Sequence, residues 1–176
     1  MKRMRSLLWF LIATILVFSL VDIGLTFQNE PEGFRDLKWG DPPGEKMEFL
    51  GKQDEWVSIY RDPSDKLELG DARFYMILYE FYTPSDATVR RLMGVGLYFK
   101  DKENFDILET ICKVKFGELT WERFHQLAWM SLDSMVTLDY ESVKEEGNLG
   151  LCSTPIFKQF TEEKEKKQAE EAEKDW

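Results

Sequence analysis

Histidine and cysteine are scarce in this chain of 176 residues, which contains one histidine and two cysteines. A Ser–His–Asp or Cys–His catalytic arrangement would have to use His125, and neither cysteine lies in a catalytic sequence context. A zinc site needs three or four ligands, but Cys112, His125 and Cys152 lack the short spacings of such sites. The sequence therefore predicts no metal and no catalytic centre of these types.

Phosphate-binding loops and the Gly-x-Ser-x-Gly elbow of many hydrolases are also missing. Gly94 and Gly96 lie within a strand pattern, whereas a dinucleotide-binding loop lies between a strand and a helix. Missing side chains at these positions predict instead that a helix or a large cross-strand aromatic residue approaches closely. We expect no cofactor.

An excess of basic residues is lacking, because 23 Lys and Arg stand against 33 Asp and Glu, for a net charge of −10. Binding to phosphate groups is driven by lysine and arginine, so this balance excludes nucleic acid and anionic lipid as partners. The many acids always offer some pair at a spacing suitable for glycoside cleavage. A hydrolase that uses carboxylates in a cleft therefore stays open as an alternative.

Long apolar runs are confined to the N-terminus, where Lys2, Arg3 and Arg5 precede an uncharged run over residues 7–21. A basic start followed by such a run is the pattern of an export leader. Extension of the run past Asp22 would reach the length of a membrane-spanning helix. We expect residues 1–26 to be a signal peptide or an N-terminal membrane anchor, and the rest to be exported to the periplasm or cell envelope.

Export would affect the redox state of the two cysteines. In an oxidising compartment Cys112 and Cys152 can form a disulfide, which would stabilise the fold by roughly 3–4 kcal/mol. The alternative is that each is a small buried hydrophobic residue. The sequence leaves both possibilities open.

The hydrophobic period predicts one α+β domain over residues 27–160. Strand-like alternation with short connections favours antiparallel pairing, and helical spacing over 104–116 predicts a helix that packs on the sheet. We expect an antiparallel sheet of five or six strands with one main packed helix, in the order strand-strand-strand-strand-helix-strand-strand-helix. A short helix is predicted after Asp41, residues 121–130 fit either a loop or a strand, and residues 161–176 should form a charged tail, helical or frayed.

Aromatic residues suggest a binding surface. If the main helix covers the Phe74 side of the strand over residues 72–82, the opposite face stays open and its tyrosines and tryptophan are suited to contact a partner. The alternatives are that the N-terminal segment buries this face, or that it is the seam of a homodimer. The candidate residues are Trp56, Tyr60, Tyr75, Tyr79 and Tyr98.

Three motifs carry a resemblance to a known group of proteins. They are Gly33-Phe34-Arg35-x-x-Lys38-Trp39-Gly40, Asp65-Lys66-Leu67-x-Leu69-Gly70-Asp71-Ala72, and Asn104-Phe105 with Lys115-Phe116-Gly117. Together they resemble small exported bacterial proteins without an assigned function. The resemblance implies a compact exported α+β domain and supplies no active-site residue.

The functional expectation is an exported envelope protein that acts without catalysis, by binding an unknown protein partner or a second copy of itself. The carboxylate hydrolase and a membrane-anchored structural protein are the alternatives.

Overall fold

The computed structural model describes residues 27–174, which form two helices and twelve strands. The predicted leader, residues 1–26, and the last two residues lie outside the described residues. The elements are β1 (Gly33–Phe34), β2 (Leu37–Lys38), β3 (Glu48–Lys52), β4 (Val57–Arg61), β5 (Glu68–Leu69), β6 (Ala72–Arg73), β7 (Met76–Tyr82), β8 (Arg91–Lys100), α1 (Lys102–Phe116), β9 (Trp121–Arg123), β10 (Gln126–Met130), β11 (Ser134–Glu141), β12 (Glu146–Ser153) and α2 (Thr154–Lys174).

Eight strands form the main sheet, in the order β3-β4-β7-β8-β12-β11-β10-β9, and two small ribbons pair β1 with β2 and β5 with β6. All the pairings between these strands are antiparallel. The α+β class with a mainly antiparallel sheet is thus confirmed. No helix within residues 27–174 is both long and apolar enough to cross a bilayer.

The sheet has more strands than the five or six expected. Residues 48–52 form the edge strand β3, so the short helix predicted after Asp41 is wrong. The backbone of Asp41 instead accepts a hydrogen bond from the N–H of Leu92 at 2.8 Å, which ties this segment to the main sheet. Farther along, Phe49 packs edge-on against Tyr60 at 5.4 Å and places β3 beside β4. The segment 121–130 forms β9 and β10 at the other edge.

Helix α1 covers the first face of the sheet, as its apolar stripe predicts. Phe105, Leu108, Cys112 and Phe116 are buried there. The Asp101 side chain accepts a hydrogen bond from the N–H of Asn104 at 2.9 Å and caps the start. Gly117 ends the helix with φ of 83°, a conformation that favours glycine.

The N-terminal segment completes the first-face core. Phe34, Leu37, Trp39 and Met47 pack against the buried cluster around α1. The indole N–H of Trp39 donates to the carbonyl of Pro31 at 2.6 Å. Most of this face is therefore covered by α1 and the segment that precedes the sheet, whereas Phe49 on the edge strand β3 stays 53% exposed.

Helix α2 covers only part of the second face. Phe160 packs there with Val57, Tyr82 and Met93, which form a smaller core cluster. The helix continues unbroken past residue 160 through the charged segment that was expected to be helical or frayed. Lys164 pairs with Asp54 at 3.5 Å, so part of this segment is held against the sheet.

Candidate functional site

The five aromatic residues singled out from the sequence do not share one open face. Tyr60 and Tyr79 lie in the first-face core, where Tyr79 is 2% exposed, so their expected place on an open surface is wrong. The chain bends at Tyr75 before β7 begins at Met76, and Phe34 of the N-terminal segment packs against Tyr79, with ring centres 6.0 Å apart. Burial by the N-terminal segment was one of the alternatives that the sequence left open.

Tyr79 has a structural partner. Its hydroxyl donates to the carboxylate of Asp65, with an oxygen–oxygen distance of 2.9 Å, and Arg35 forms an ion pair with the same carboxylate. Burial and this hydrogen bond both raise the pKa of Tyr79. The cluster joins the β1–β2 ribbon to the loop after β4 and stabilises the fold.

Trp56 supports helix α2. Its ring is half-buried, lies 6.4 Å from that of Phe160 and has the ammonium of Lys167 5.0 Å from its centre. Lys167 also forms an ion pair with Glu55. The Trp56 side chain is therefore occupied by contacts within the chain.

Tyr75 and Tyr98 lie together at the surface, on the second face of the sheet. Their ring centres are 6.4 Å apart, and Tyr75 is 46% exposed. The ammonium of Lys100 lies 5.5 Å from the centre of the Tyr75 ring. Of the five candidates, these two form an aromatic pair in which Tyr75 is exposed and Tyr98 is half-buried, and their role in binding stays a prediction.

A groove with a glycine floor lies beside this pair, and we call it the glycine groove. Gly94 and Gly96 on β8 lie opposite Cys152 and Gly150 on β12, so three of these four floor positions have no side chain. The groove has a volume of about 170 Å³. Its lining residues are Glu80, Met93, Gly94, Val95, Gly96, Tyr98, Met135, Thr137, Asn148, Gly150, Leu151, Cys152 and Phe157.

Tyr98 forms one wall of the glycine groove. A Cβ atom added at Gly96 would lie 3.0 Å from Cε2 of Tyr98, so the phenol ring folds back over this glycine. The ring near Gly96 comes from the same strand, and not from a helix or a neighbouring strand as expected. At the other side, Phe157 of α2 lines the groove and is 42% exposed.

Glu80 is the acidic residue of the glycine groove. It lies on β7 opposite Gly94, and a Cβ atom added at that glycine would be 3.5 Å from its Oε2. Burial raises the pKa of its carboxyl, and no hydrogen bond or neighbouring charge within residues 27–174 offsets this effect. Sequence reasoning missed Glu80, although a single acid within the apolar run of β7 was a visible signal.

Two further polar groups line the glycine groove. The side-chain oxygen Oδ1 of Asn148 is buried and accepts no hydrogen bond from the described residues. The thiol of Cys152 has its pKa raised to about 11, mainly by burial and secondly by the charge of Glu80. This thiol is therefore protonated at neutral pH and a poor nucleophile.

The proposed disulfide is not present. Both cysteines are free: Cys112 is on α1 over the first face, and Cys152 is on the second face. Because the sheet separates them, the alternative of two free thiols holds. Burial raises the pKa of Cys112 to about 12.

The other candidates for chemistry are dispersed. Asp139, whose pKa burial also raises, lies on β11, three strands from Glu80. At about 4.8 Å per strand the two backbones are about 14 Å apart, beyond the ~9.5 Å limit for a glycosidase pair. His125 packs edge-on against Phe105 and Tyr140, at 5.7 and 5.8 Å. No group of three potential metal ligands occurs within residues 27–174.

Comparisons of the chain with protein-family models, with curated proteins and with solved structures found no match. The resemblance to small exported bacterial proteins therefore stays a prediction. The interpretation of the site depends on its geometry and chemistry.

Proposed function

We propose that this protein is an exported envelope protein that acts without catalysis, by binding another protein on the second face of its sheet. The observation that carries the proposal is the glycine groove beside the exposed Tyr75 and the half-buried Tyr98. The first face carries the main core under α1 and the N-terminal segment, whereas most side chains on the second face beyond α2 are half-buried or exposed. Tyrosine is enriched at protein contacts, because its ring is apolar and its hydroxyl tolerates water.

Binding accounts for the groove better than hydrolysis does. Glu80 is the one carboxylate among its lining residues, and the cysteine beside it holds its proton at neutral pH. Cleavage of a glycoside by two carboxylates needs a second acid within ~9.5 Å, and Asp139 is too far away. A partner side chain can instead enter the groove without any reaction.

The exported location is supported by the N-terminal pattern of Lys2, Arg3 and Arg5 before the apolar run over residues 7–21. A phosphatase reporter fused to the C-terminus should be active outside the cytoplasm. A matched C-terminal reporter that is active only in the cytosol would contradict export. It would also contradict a partner protein in the cell envelope.

Photo-cross-linking in cells tests the binding surface. A benzophenone amino acid is placed at Tyr75 of the full chain, and the control carries it at Phe124, which is 88% exposed in the β9–β10 turn. We expect a discrete cross-linked product from position 75 and none from position 124. The mass of the product distinguishes a foreign protein from a second copy of the chain.

Absence of a product at position 75, or the same product from both positions, would contradict the proposal. The thermal midpoint of each variant, measured on purified protein, shows that the fold is intact before the cross-links are compared.

A further inference from the structure

The glycine groove offers hydrogen-bond acceptors without matching donors. No hydrogen bond to the half-buried carboxylate of Glu80 occurs among the described residues. The buried Oδ1 of Asn148 accepts none either, and leaving a buried acceptor without a donor costs free energy. A guest that brings donors would recover this free energy.

The two cations of β8, the strand that carries Gly94 and Gly96, are engaged elsewhere. Arg91 donates to the side chain of Gln159 at 2.8 Å, and Lys100 lies against the ring of Tyr75. The lining residues of the groove include no lysine or arginine. The positive charge that would complement Glu80 is thus missing from the described part of the chain, which makes the groove complementary to an external cation.

The shape of the groove favours a planar cation. The ring of Tyr98 lies over Gly96, and Gly94 and Gly150 beside it carry no side chains. A guanidinium group is flat, stacks on aromatic rings and donates through several N–H groups at once. A volume of about 170 Å³ suits one side chain and excludes a folded segment.

We propose that the glycine groove binds an arginine side chain of the protein partner, with the guanidinium paired to Glu80 and stacked against Tyr98. This inference rests on the proposed function, because it names the group that the partner inserts. The charge on the guest stabilises the ionised form of Glu80, which burial disfavours. The Oδ1 atom of Asn148 is a further hydrogen-bond acceptor for the arginine residue.

The test is a titration of the isotopically labelled full chain with N-acetyl-arginine methylamide, followed by amide NMR shifts. We expect millimolar binding, with the largest shifts at Gly94, Gly96 and Gly150. The citrulline analogue has nearly the same shape without the charge, so it should bind at least tenfold more weakly. The lysine analogue carries the charge without the planar fork, and it should bind more weakly than the arginine compound.

Two variants complete the test. Glu80→Gln should weaken binding of the arginine compound at least tenfold, whereas Asp139→Asn, on the same face but outside the groove, should leave it unchanged. Equal binding of the citrulline analogue, stronger binding of the lysine analogue, or full binding by Glu80→Gln would overturn the inference. The dispersion of the amide spectrum shows that each variant is folded.

The cross-linking experiment separates this inference from the proposed function. A product at position 75 that persists in the Glu80→Gln background would overturn the arginine inference and leave the binding surface intact. Loss of the product in that background, with a folded protein, would support both. Absence of any product from the wild-type background would contradict the proposed function itself.

Discussion

Tyr75 and Tyr79 are four residues apart in the chain, but their side chains lie in different environments. Tyr79 points into the first-face core and donates its hydroxyl to Asp65, whereas Tyr75 lies at the surface beside Tyr98. Strict alternation from residue 72 to residue 82 would place both tyrosines on one face, as the sequence analysis expected. The bend at Tyr75, which lies between β6 and β7, breaks that alternation, and no turn residue such as glycine or proline announced it.

These two tyrosines should respond differently to truncation. Tyr79→Ser removes a buried ring and leaves Asp65 without its hydroxyl donor, so we expect a loss of about 3 kcal/mol or more in the free energy of unfolding. Tyr75→Ser removes a half-exposed ring and should cost less than about 1 kcal/mol. Urea unfolding of both variants measures the difference, and equal losses would contradict the assigned burial.

Glu80 should make the stability depend on pH. Burial raises the pKa of its carboxyl in the folded state above the ordinary value of 4.5, so the folded state holds this proton more tightly than the unfolded state. The free energy of unfolding should therefore fall as the pH rises from about 4.5 through the raised pKa.

Glu80→Gln removes this titration, so it should stabilise the protein at neutral pH and have little effect below pH 4. Urea unfolding from pH 4 to pH 8 measures the dependence, with Asp139→Asn as a second buried acid for comparison. A Glu80→Gln variant that is less stable than the wild type at pH 8 would contradict a burial penalty on this carboxylate.

At the scale of elements, the local sequence pattern predicted both helices. The packing of α2 against the rest of the fold, in contrast, depends on residues that are distant in the chain. The element order expected from the sequence ends with a helix, and α2 follows the last strand, with Phe160 buried against the sheet. The pairing of Lys164 with Asp54 joins residues 110 positions apart, so spacing along the helix could not reveal it. The strands β3, β9 and β10 were missed or left undecided for the same reason, because edge strands depend on their neighbours.

Phe160 should account for much of the docking of α2. Phe160→Ala empties a site that is 9% exposed between Val57, Tyr82 and Met93, and we expect it to cost about 3 kcal/mol. Phe157→Ala, one turn earlier and 42% exposed, is the matched control and should cost less than half as much. Thermal and urea unfolding give both values, and a larger loss from Phe157→Ala would contradict this packing.

At the scale of the whole molecule, the α+β class and the antiparallel pairing follow from hydrophobic period and short connections. The glycine groove does not, because it forms only where β8 lies beside β12 and brings Gly96 opposite Gly150. These glycines are far apart in the chain, and the pairing of their strands spans α1 and three further strands. The same pairing places Asn148 opposite Tyr98, so the polar and aromatic walls of the groove also depend on the complete fold.

The central claim, that the glycine groove is where the partner binds, is tested most directly by filling its floor. A Cβ atom at Gly94 would lie 3.3–3.5 Å from Leu151, Cys152 and Glu80, so Gly94→Ala and Gly94→Val narrow the groove in two steps. Gly44→Val is the matched control, because its nearest neighbour, Met47, is 3.9 Å from the added Cβ.

The measurement is the yield of the cross-linked product from position 75 in each of these backgrounds, compared at equal thermal midpoint. The account predicts a yield that falls with Gly94→Ala, falls at least fivefold with Gly94→Val and is unchanged with Gly44→Val. An unchanged yield from folded Gly94→Val protein would contradict it.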